Sequence, residues 1–250
     1  MKQSFFSLTI LLLFSLSFIT ERSKAQDRYV ATYSYEPKTR EQVANNGISI
    51  AFVSPYFDGL NTNALLDEFE DFQKAMESEI EELLIARGFK TRGPFKTRDE
   101  MVFQDKKSSD FTLVIAIEWN AKLTRQLKKI FGPGQFKTKK GELNISRGVT
   151  LTAISNFTGE KLWKKRLTLS PQTITWEGSK DLGENARNMG FWEEYKLDPK
   201  HLTEPFGKGM EQTFADALDI LWKQFDVEEM KKVAEEAKLE RANDRKTKTE

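Results

Sequence analysis

Two helical stripes separated by strand-like segments constrain the fold of this chain most strongly. The first stripe consists of apolar residues at three- and four-residue spacing: Leu65, Phe69, Phe72, Met76, Ile80, Leu83 and Leu84. The second stripe has the same spacing: Met210, Phe214, Ala217, Leu218, Leu221, Trp222 and Phe225. Gly88 marks the expected end of the first helix. Apolar stripes of this width must be buried against another element of the fold. The strand-like segments between them can form a sheet that covers them.

The strand-like segments are short runs rich in β-branched and aromatic residues, at positions 48–53, 89–95, 111–119, 147–155 and 160–169. The third run is almost continuously apolar, which predicts a central strand buried on both faces. The turn-like residues 156–159 join the last two runs into a hairpin. This order predicts an α+β two-layer sandwich, in which two long helices cover one face of a mixed β-sheet.

The N-terminus has the pattern of an export signal. Lys2 precedes an apolar run at positions 5–19, and small residues follow at Ser23 and Ala25. A membrane-spanning helix needs about 20 apolar residues, more than this run contains. We expect residues 1–25 to be a signal peptide cleaved after Ala25, with the protein exported to the periplasm or cell surface. An uncleaved anchor is the alternative.

The rest of the chain divides into three parts. Residues 26–46 are expected to be an extended lead-in, 47–227 a single α+β domain and 228–250 a charged helical tail. Of the 23 tail residues 14 are charged, which predicts a solvated helix. A coiled-coil surface formed by Val227, Met230, Ala234 and Ala237 is the alternative. Within the domain, the Pro- and Gly-containing stretch 171–205 is expected to form loops.

Composition excludes many kinds of active site. The chain has no Cys and one His, His201, so thiol nucleophiles and Cys-based or His-pair metal sites are absent. Adjacent carboxylates such as Glu193 and Glu194 do not establish the separation that glycoside hydrolysis requires. We therefore expect no enzyme, no cofactor and no metal. The formal net charge of +1 also argues against nucleic acid as a partner.

The strongest candidate for a binding surface is a basic segment without acidic residues between positions 121 and 141. Its cationic members are Lys122, Arg125, Lys128, Lys129, Lys137, Lys139 and Lys140. We interpret it as a loop, bent at the Gly-Pro-Gly at 132–134, that binds a carboxylate ligand, an anionic lipid surface or a polyanion. The alternative is a solvated loop without a ligand.

A secondary candidate lies in the stretch 171–205. Trp176, Trp192 and Tyr195 would offer stacking faces to a sugar ring. The alternative is that these rings pack a long loop onto the sheet.

Several segments, taken in order, resemble a known family. They are the run 48–55, the helix end LLIARGFKT at 83–91, the strand at 110–123 and the hairpin at 148–163. Together with the charged tail they resemble the neuraminyllactose-binding haemagglutinin-like family of bacterial surface lipoproteins. This chain lacks the family's lipidated cysteine.

The resemblance implies an envelope-exposed, non-enzymatic protein that binds sialylated glycans. The family's sugar motif follows the central strand and has the pattern Lys-Arg-Thr-Ile-Gln-Lys-Lys. Here the matching place, 123–129, reads LTRQLKK, which adds Gln126 to the candidate ligand residues Arg125, Lys128 and Lys129.

These observations lead to two hypotheses. The first is an exported, adhesin-like protein of the bacterial cell envelope that contacts sialylated or other anionic glycans through the basic loop, with peripheral contact to the outer membrane. The second is a structural or assembly component of the envelope that acts through contacts with envelope proteins and has no small-molecule ligand.

Overall fold

The computed structural model describes residues 29–36, 44–58, 66–131, 137–180 and 204–247. The predicted signal peptide lies outside these ranges. The described strands are β1 (Ser49–Val53), β2 (Tyr56–Asp58), β3 (Lys90–Phe95), β4 (Phe111–Phe131), β5 (Lys137–Ile154) and β6 (Lys161–Lys180). The described helices are α1 (Leu66–Ala86), α2 (Phe103–Ser108), α3 (Glu204–Gln224) and α4 (Val227–Thr247), with a 3-10 turn at Arg98–Glu100 before α2.

The described strands form one mixed sheet in the order β3-β1-β4-β5-β6. β1 runs parallel to both β3 and β4, whereas β4, β5 and β6 are antiparallel neighbours. β2 continues beyond the end of β1 and also pairs in parallel with β4. The Pro94-containing strand β3 is at an edge, where a proline without a backbone N–H is tolerated.

The two helices predicted from the apolar stripes, α1 and α3, cover the same face of this sheet, which confirms the predicted two-layer α+β fold. Phe72 of α1 and Phe214 of α3 are almost fully buried and meet edge to face at 5.4 Å between ring centroids. Trp119 of β4 packs in the same way against Phe206 of α3 at 5.1 Å. The helix stripes and the inward-facing positions of the strands therefore form one hydrophobic core.

The hairpin predicted at residues 156–159 is present. The backbone amide of Gly159 donates to the carbonyl of Ser155 at 3.1 Å, and the amide of Ser155 donates to the carbonyl of Glu160 at 2.8 Å. Gly159 has a φ of 80°, a left-handed conformation that glycine adopts at low cost.

The three antiparallel strands are longer than their apolar patterns indicated. β4 continues to Phe131 and β5 begins at Lys137, so the predicted basic loop is mostly strand. β6 continues to Lys180, so the first ten residues of the stretch expected to form loops are also strand. Antiparallel pairing satisfies the backbone hydrogen bonds of these polar residues, which therefore need no apolar face to remain extended.

Pro171 is accommodated in β6 by the sheet edge and an irregularity. Gln172 pairs with Ile145 and Leu169 pairs with Arg147, so Ser170 and Pro171 lie opposite a single residue of β5. The freed carbonyl of Ser170 accepts hydrogen bonds from Nε and Nη2 of Arg147, at 3.0 and 2.6 Å.

The C-terminal tail is helical, as predicted, but the expectation that it is solvated is wrong. Met230, Val233, Ala234 and Ala237 are buried on one side of α4. The predicted apolar seam thus packs within the chain. Polar contacts add to it, because Glu229 accepts a hydrogen bond from Nε1 of Trp163 at 3.2 Å.

The described part of the lead-in, residues 29–36, is neither helix nor strand, and it is attached to the helices. Tyr33 packs against Phe72 and Phe214, at 5.3 and 5.2 Å between ring centroids. The hydroxyl of Tyr35 donates to Asp219 of α3 at 2.8 Å, and burial together with this hydrogen bond raises the pKa of Tyr35. None of the helices in the described ranges is long and apolar enough to cross a membrane.

Candidate functional site

The face of the sheet opposite the helices carries a polar groove. On β4, Leu113, Ile115 and Ile117 are buried in the core, and the alternate residues lie on the other face. The expectation that this strand is buried on both faces is therefore wrong. The groove has a volume of about 490 Å³ and is lined by residues from four strands, β2, β4, β5 and the start of β6: Tyr56, Asp58, Val114, Ala116, Glu118, Asn120, Thr150, Thr152, Ile154, Lys161, Lys164 and Arg166. We call it the open-face groove.

A carboxylate and a guanidinium are fixed together in the groove. Nε of Arg166 donates to Oε2 of Glu118 at 3.1 Å, and Nη2 donates to the same oxygen. The hydroxyl of Thr150 donates to Oε1 of Glu118 at 3.0 Å. The Glu118 side chain is only 15% exposed, whereas that of Arg166 is 71% exposed. Glu118 therefore holds the base of a guanidinium whose outer edge faces solvent.

Gly148 provides the space for this pair. It lies directly opposite Glu118 on β5, and a Cβ atom there would be 3.0 Å from the carbonyl oxygen of Leu167 and 3.4 Å from Oε2 of Glu118. A side chain there would press first on the carbonyl oxygen of Leu167, and its Cβ would meet the carboxylate in ordinary van der Waals contact.

The pKa of the Glu118 carboxyl reflects two opposing effects. Burial raises its pKa, whereas the hydrogen bonds from Arg166 and Thr150 and the charges of Arg166 and Lys164 lower it. The lowering effects prevail, so the carboxyl titrates below its ordinary range and is ionised at neutral pH. The hydrogen bond to Glu118 in turn raises the pKa of Arg166.

The sides of the groove differ in character. Tyr56 on β2 is 48% exposed and presents an aromatic ring, beside the exposed carboxylate of Asp58. Lys161 and Lys164 on β6 are exposed cations on the opposite side. The surface between them is formed by Ala116, Thr150 and Thr152, together with Val114, Ile154, Glu118 and Asn120. An aromatic ring, hydroxyls, amide and cations converging on a groove suit a polar ligand with ring faces.

The predicted basic residues lie farther along the same hairpin. Lys122, Arg125, Gln126, Lys128 and Lys129 are in β4, and Lys137, Lys139 and Lys140 are in β5. The register places Lys128 opposite Lys140 and Lys129 opposite Lys139, while Arg125 is opposite Glu142. We call these paired segments, residues 122–131 and 137–144, the basic extension. The Gly-Pro-Gly at 132–134 lies outside the described residues.

The predicted aromatic site is not brought together within the described ranges. Trp176 is part of β6, where it pairs with Gly141. Trp192 and Tyr195 lie outside the described residues, as does His201. In the described part of the chain, no three Asp, Glu or His side chains are close enough to hold a metal ion.

Sequence reasoning missed the open-face groove entirely. The one signal was Glu118, a charged residue inside an otherwise apolar strand. The alternating Thr150 and Thr152 on β5, and Lys164 and Arg166 on β6, mark the same face only once the strand register is known.

Neither family models nor curated proteins match the sequence. Among solved structures, one described as a homologue of the neuraminyllactose-binding haemagglutinin, from Helicobacter pylori, is 12% identical with a TM-score of 0.58, and the match covers 83% of this chain and 97% of that chain. A protein from Xanthomonas campestris is 8% identical, with coverage of 82% and 97% and a TM-score of 0.37. A minor lipoprotein from Acinetobacter baumannii is 14% identical, with coverage of 70% and 85% and a TM-score of 0.25.

The first of these similarities extends over most of both chains. It confirms the fold that the sequence resemblance implied, and this chain shares the fold of the Helicobacter pylori protein. The other two are too distant in structure to carry an argument.

Proposed function

We propose that this protein is an exported component of a bacterial cell envelope that binds an anionic glycan on the open face of its sheet, without catalysing a reaction. The observation that carries the proposal is the open-face groove, where the Arg166–Glu118 pair and Lys164 lie on the same surface as the exposed ring of Tyr56. Its volume of about 490 Å³ is within the range of small-ligand sites, roughly 300 to 1,000 Å³.

The chemistry of the lining supports a carbohydrate over an apolar ligand. Thr150, Thr152 and Asn120 provide hydroxyl and amide groups along the floor and side of the groove. Tyr56 offers a ring face, and sugars present a matching C–H face together with hydroxyls. The cations on β6 favour a ligand that carries a negative charge.

The basic extension supports the anionic character of the ligand. The register sets three pairs of lysines directly opposite each other, Lys128 and Lys140, Lys129 and Lys139, and Lys137 and Lys180, although Lys140 is also opposite Glu177. Like charges in such positions destabilise a sheet. A bound or approaching anion offsets this repulsion. We therefore retain Lys122, Arg125, Gln126, Lys128, Lys129, Lys137, Lys139 and Lys140 as an accessory surface.

A glycan array with a groove-filling variant tests the proposal. Ala116 forms part of the groove floor, so Ala116→Phe should fill the groove and abolish binding of sialylated glycans. Thr168→Phe is the matched control, because Thr168 is exposed on β6 and does not line the groove. Equal binding by wild type and Ala116→Phe would contradict the proposal. Absence of glycan binding, with co-purification of envelope proteins, would favour the assembly role.

Export is tested separately by the N-terminus of the native protein. The proposal predicts that sequencing returns Gln26 as the first residue and that cell fractionation places the protein in the envelope. Recovery of Met1 in the cytoplasmic fraction would contradict it.

A further inference from the structure

Two apolar side chains protrude next to each other at one end of the sheet. Val102 is 61% exposed and Phe103 is 70% exposed, in the connection between β3 and β4. The preceding residue, Met101, is buried and anchors the connection to the domain. Single exposed apolar residues are ordinary on a protein surface, whereas a contiguous group of them marks an interaction site.

Contacts with two other elements hold the exposed ring in place. Phe103 meets Phe157, in the turn between β5 and β6, edge to face at 6.2 Å between ring centroids. The guanidinium of Arg241 in α4 lies over the Phe157 ring, 4.3 Å from its centroid. We call Val102, Phe103 and Phe157 the apolar tip. Because a second ring supports it, the tip needs no rearrangement before it meets a partner.

The surroundings of the apolar tip are weakly basic. Lys106 and Lys107 follow on α2, and neither forms an ion pair within the described part of the chain. Lys161 is exposed just after the turn, and the exposed acids are Glu100 and Glu160. Three further carboxylates are already paired with cations: Asp99 with Arg98 at 3.4 Å, Asp105 with Arg92 at 3.7 Å and Asp110 with Lys238 at 3.2 Å.

The small area of the apolar tip favours a lipid surface over a protein partner. A phenylalanine side chain covers roughly 200 Å², so about 140 Å² of Phe103 is available for contact. A stable protein interface needs about 800 Å² from each partner. A bilayer needs no complementary shape, because its interface accepts a single aromatic ring while neighbouring lysines reach the headgroup phosphates.

The apolar tip lies at the opposite end of the sheet from the basic extension. β4 begins at Phe111, just after α2, and continues for 21 residues to Phe131 in the extension. At about 3.3 Å per residue this strand spans about 70 Å. The turn that contains Phe157 lies at the same end as Phe111, because Ile154 pairs with Thr112.

We propose that the apolar tip docks the protein on a lipid bilayer with anionic headgroups. Val102 and Phe103 insert at the headgroup level, Lys106 and Lys107 bind lipid phosphates, and the basic extension projects away from the membrane. This docking goes beyond the proposed function and does not depend on what the open-face groove binds.

Sedimentation with vesicles tests the docking on the native protein. Its first residue is determined beforehand, because an uncleaved apolar run at positions 5–19 would itself bind lipid. The vesicles are phosphatidylethanolamine with about one quarter phosphatidylglycerol, and phosphatidylcholine alone is the neutral reference. Phe103→Ser should weaken binding to the anionic vesicles about tenfold, because the inserted ring is lost. Equal binding by wild type and Phe103→Ser would overturn the proposal.

Val30→Ser is the matched control for the loss of an exposed apolar side chain. Val30 is 76% exposed and follows Tyr29, whose hydroxyl donates to Glu211 of α3. This part of α3 is close to Phe206, which packs on Trp119, about 26 Å along β4 from Phe111. Val30→Ser should therefore bind vesicles like wild type, and a loss equal to that of Phe103→Ser would contradict a localised tip.

The contribution of charge is tested by two double variants that remove the same number of lysines. Lys106→Gln with Lys107→Gln should weaken binding to the anionic vesicles about tenfold and leave binding to neutral vesicles unchanged. Lys231→Gln with Lys232→Gln, at exposed positions of α4, should weaken it by less than twofold. Equal losses in both double variants would show a general charge effect and overturn the contact assigned to α2.

Single cysteines report the orientation, because the chain has no native Cys. A polarity-sensitive fluorophore on Gln104→Cys, beside the tip, should shift to shorter wavelength with anionic vesicles, whereas one on Thr168→Cys, on the open face of the sheet, should not. The reverse result would place the open face on the membrane and overturn the proposal. Ala116→Phe should bind vesicles like wild type, so failure of glycan binding and failure of docking are distinguishable.

Discussion

Arg147 of β5 donates from Nη2 to Oδ2 of Asp216 in α3, at 2.8 Å. The Arg147 side chain is 2% exposed, and it also donates from Nη1 to the hydroxyl of Thr213 at 3.1 Å. The same guanidinium binds the carbonyl of Ser170 at the irregularity of β6. One buried side chain thus connects two strands to the helix that covers them.

We predict that Asp216→Ala lowers the free energy of unfolding by about 2 kcal/mol, because a buried guanidinium loses its counter-charge while its other partners remain. Urea denaturation measures the change. Lys231→Ala on the exposed side of α4 is the control and should change stability by less than about 0.5 kcal/mol. A neutral result for Asp216→Ala would show that the helix is held without this ion pair.

Two substitutions within α4 test whether this helix is part of the fold. Met230 is 1% exposed and Leu239 is 68% exposed. We expect Met230→Ala to cost about 2 to 4 kcal/mol, because it leaves a cavity, and Leu239→Ala to cost less than about 0.5 kcal/mol. Thermal unfolding of both variants gives the comparison. Equal, small effects for both variants would instead support the solvated tail that the sequence predicted.

The lowered pKa of Glu118 predicts a dependence of stability on pH. A carboxyl whose pKa is lower in the folded than in the unfolded state stabilises the fold above its unfolded pKa, and this contribution is lost as pH falls through the folded value. Glu118→Gln should therefore lower the Tm at pH 7, and the difference from wild type should shrink below about pH 4.5. Glu70→Gln, at an exposed position of α1, is the control. A constant difference across this range would contradict the charge pairing.

The basic extension should act through its electric field. We predict that replacing Arg125, Lys128 and Lys129 together with Gln weakens 3′-sialyllactose binding at 20 mM salt but not at 500 mM, where exposed charges are screened beyond about 4 Å. The free energy of unfolding should stay within about 1 kcal/mol of wild type. A loss that persists at high salt would instead place direct ligand contacts on the extension.

The fold was predictable where packing against the core requires apolar residues at a regular spacing in the sequence. The stripes that include Phe72 and Phe214 face a sheet, so both helices and their shared layer followed from spacing alone. The ends of the strands were not predictable. Residues from Lys122 onward lie beyond the part of the sheet that the helices cover, so their sequence no longer alternates between apolar, core-facing residues and polar ones. The prediction of a solvated C-terminal tail was wrong for the opposite reason. Its four small or medium apolar residues are outnumbered by charged residues, yet they are enough to pack one side of a helix.

The candidate site depended on register more than on composition. Tyr56, Glu118 and Arg166 are far apart in sequence, and only the pairing of β2, β4, β5 and β6 brings them to one surface. The clustered cations of the extension were conspicuous in the sequence because they are contiguous. Contiguity is a poor guide to a groove built across strands, where each strand contributes alternate residues.

The most direct test of the account is to map the bound ligand by NMR. Titration of ¹⁵N-labelled protein with 3′-sialyllactose should shift the amide signals of Ala116, Thr150, Thr152 and Lys164 on the four-strand floor and side of the groove, and leave those of the buried helix face around Phe214 unchanged. Shifts confined to residues 122–131 and 137–144, with none in the open-face groove, would contradict the account.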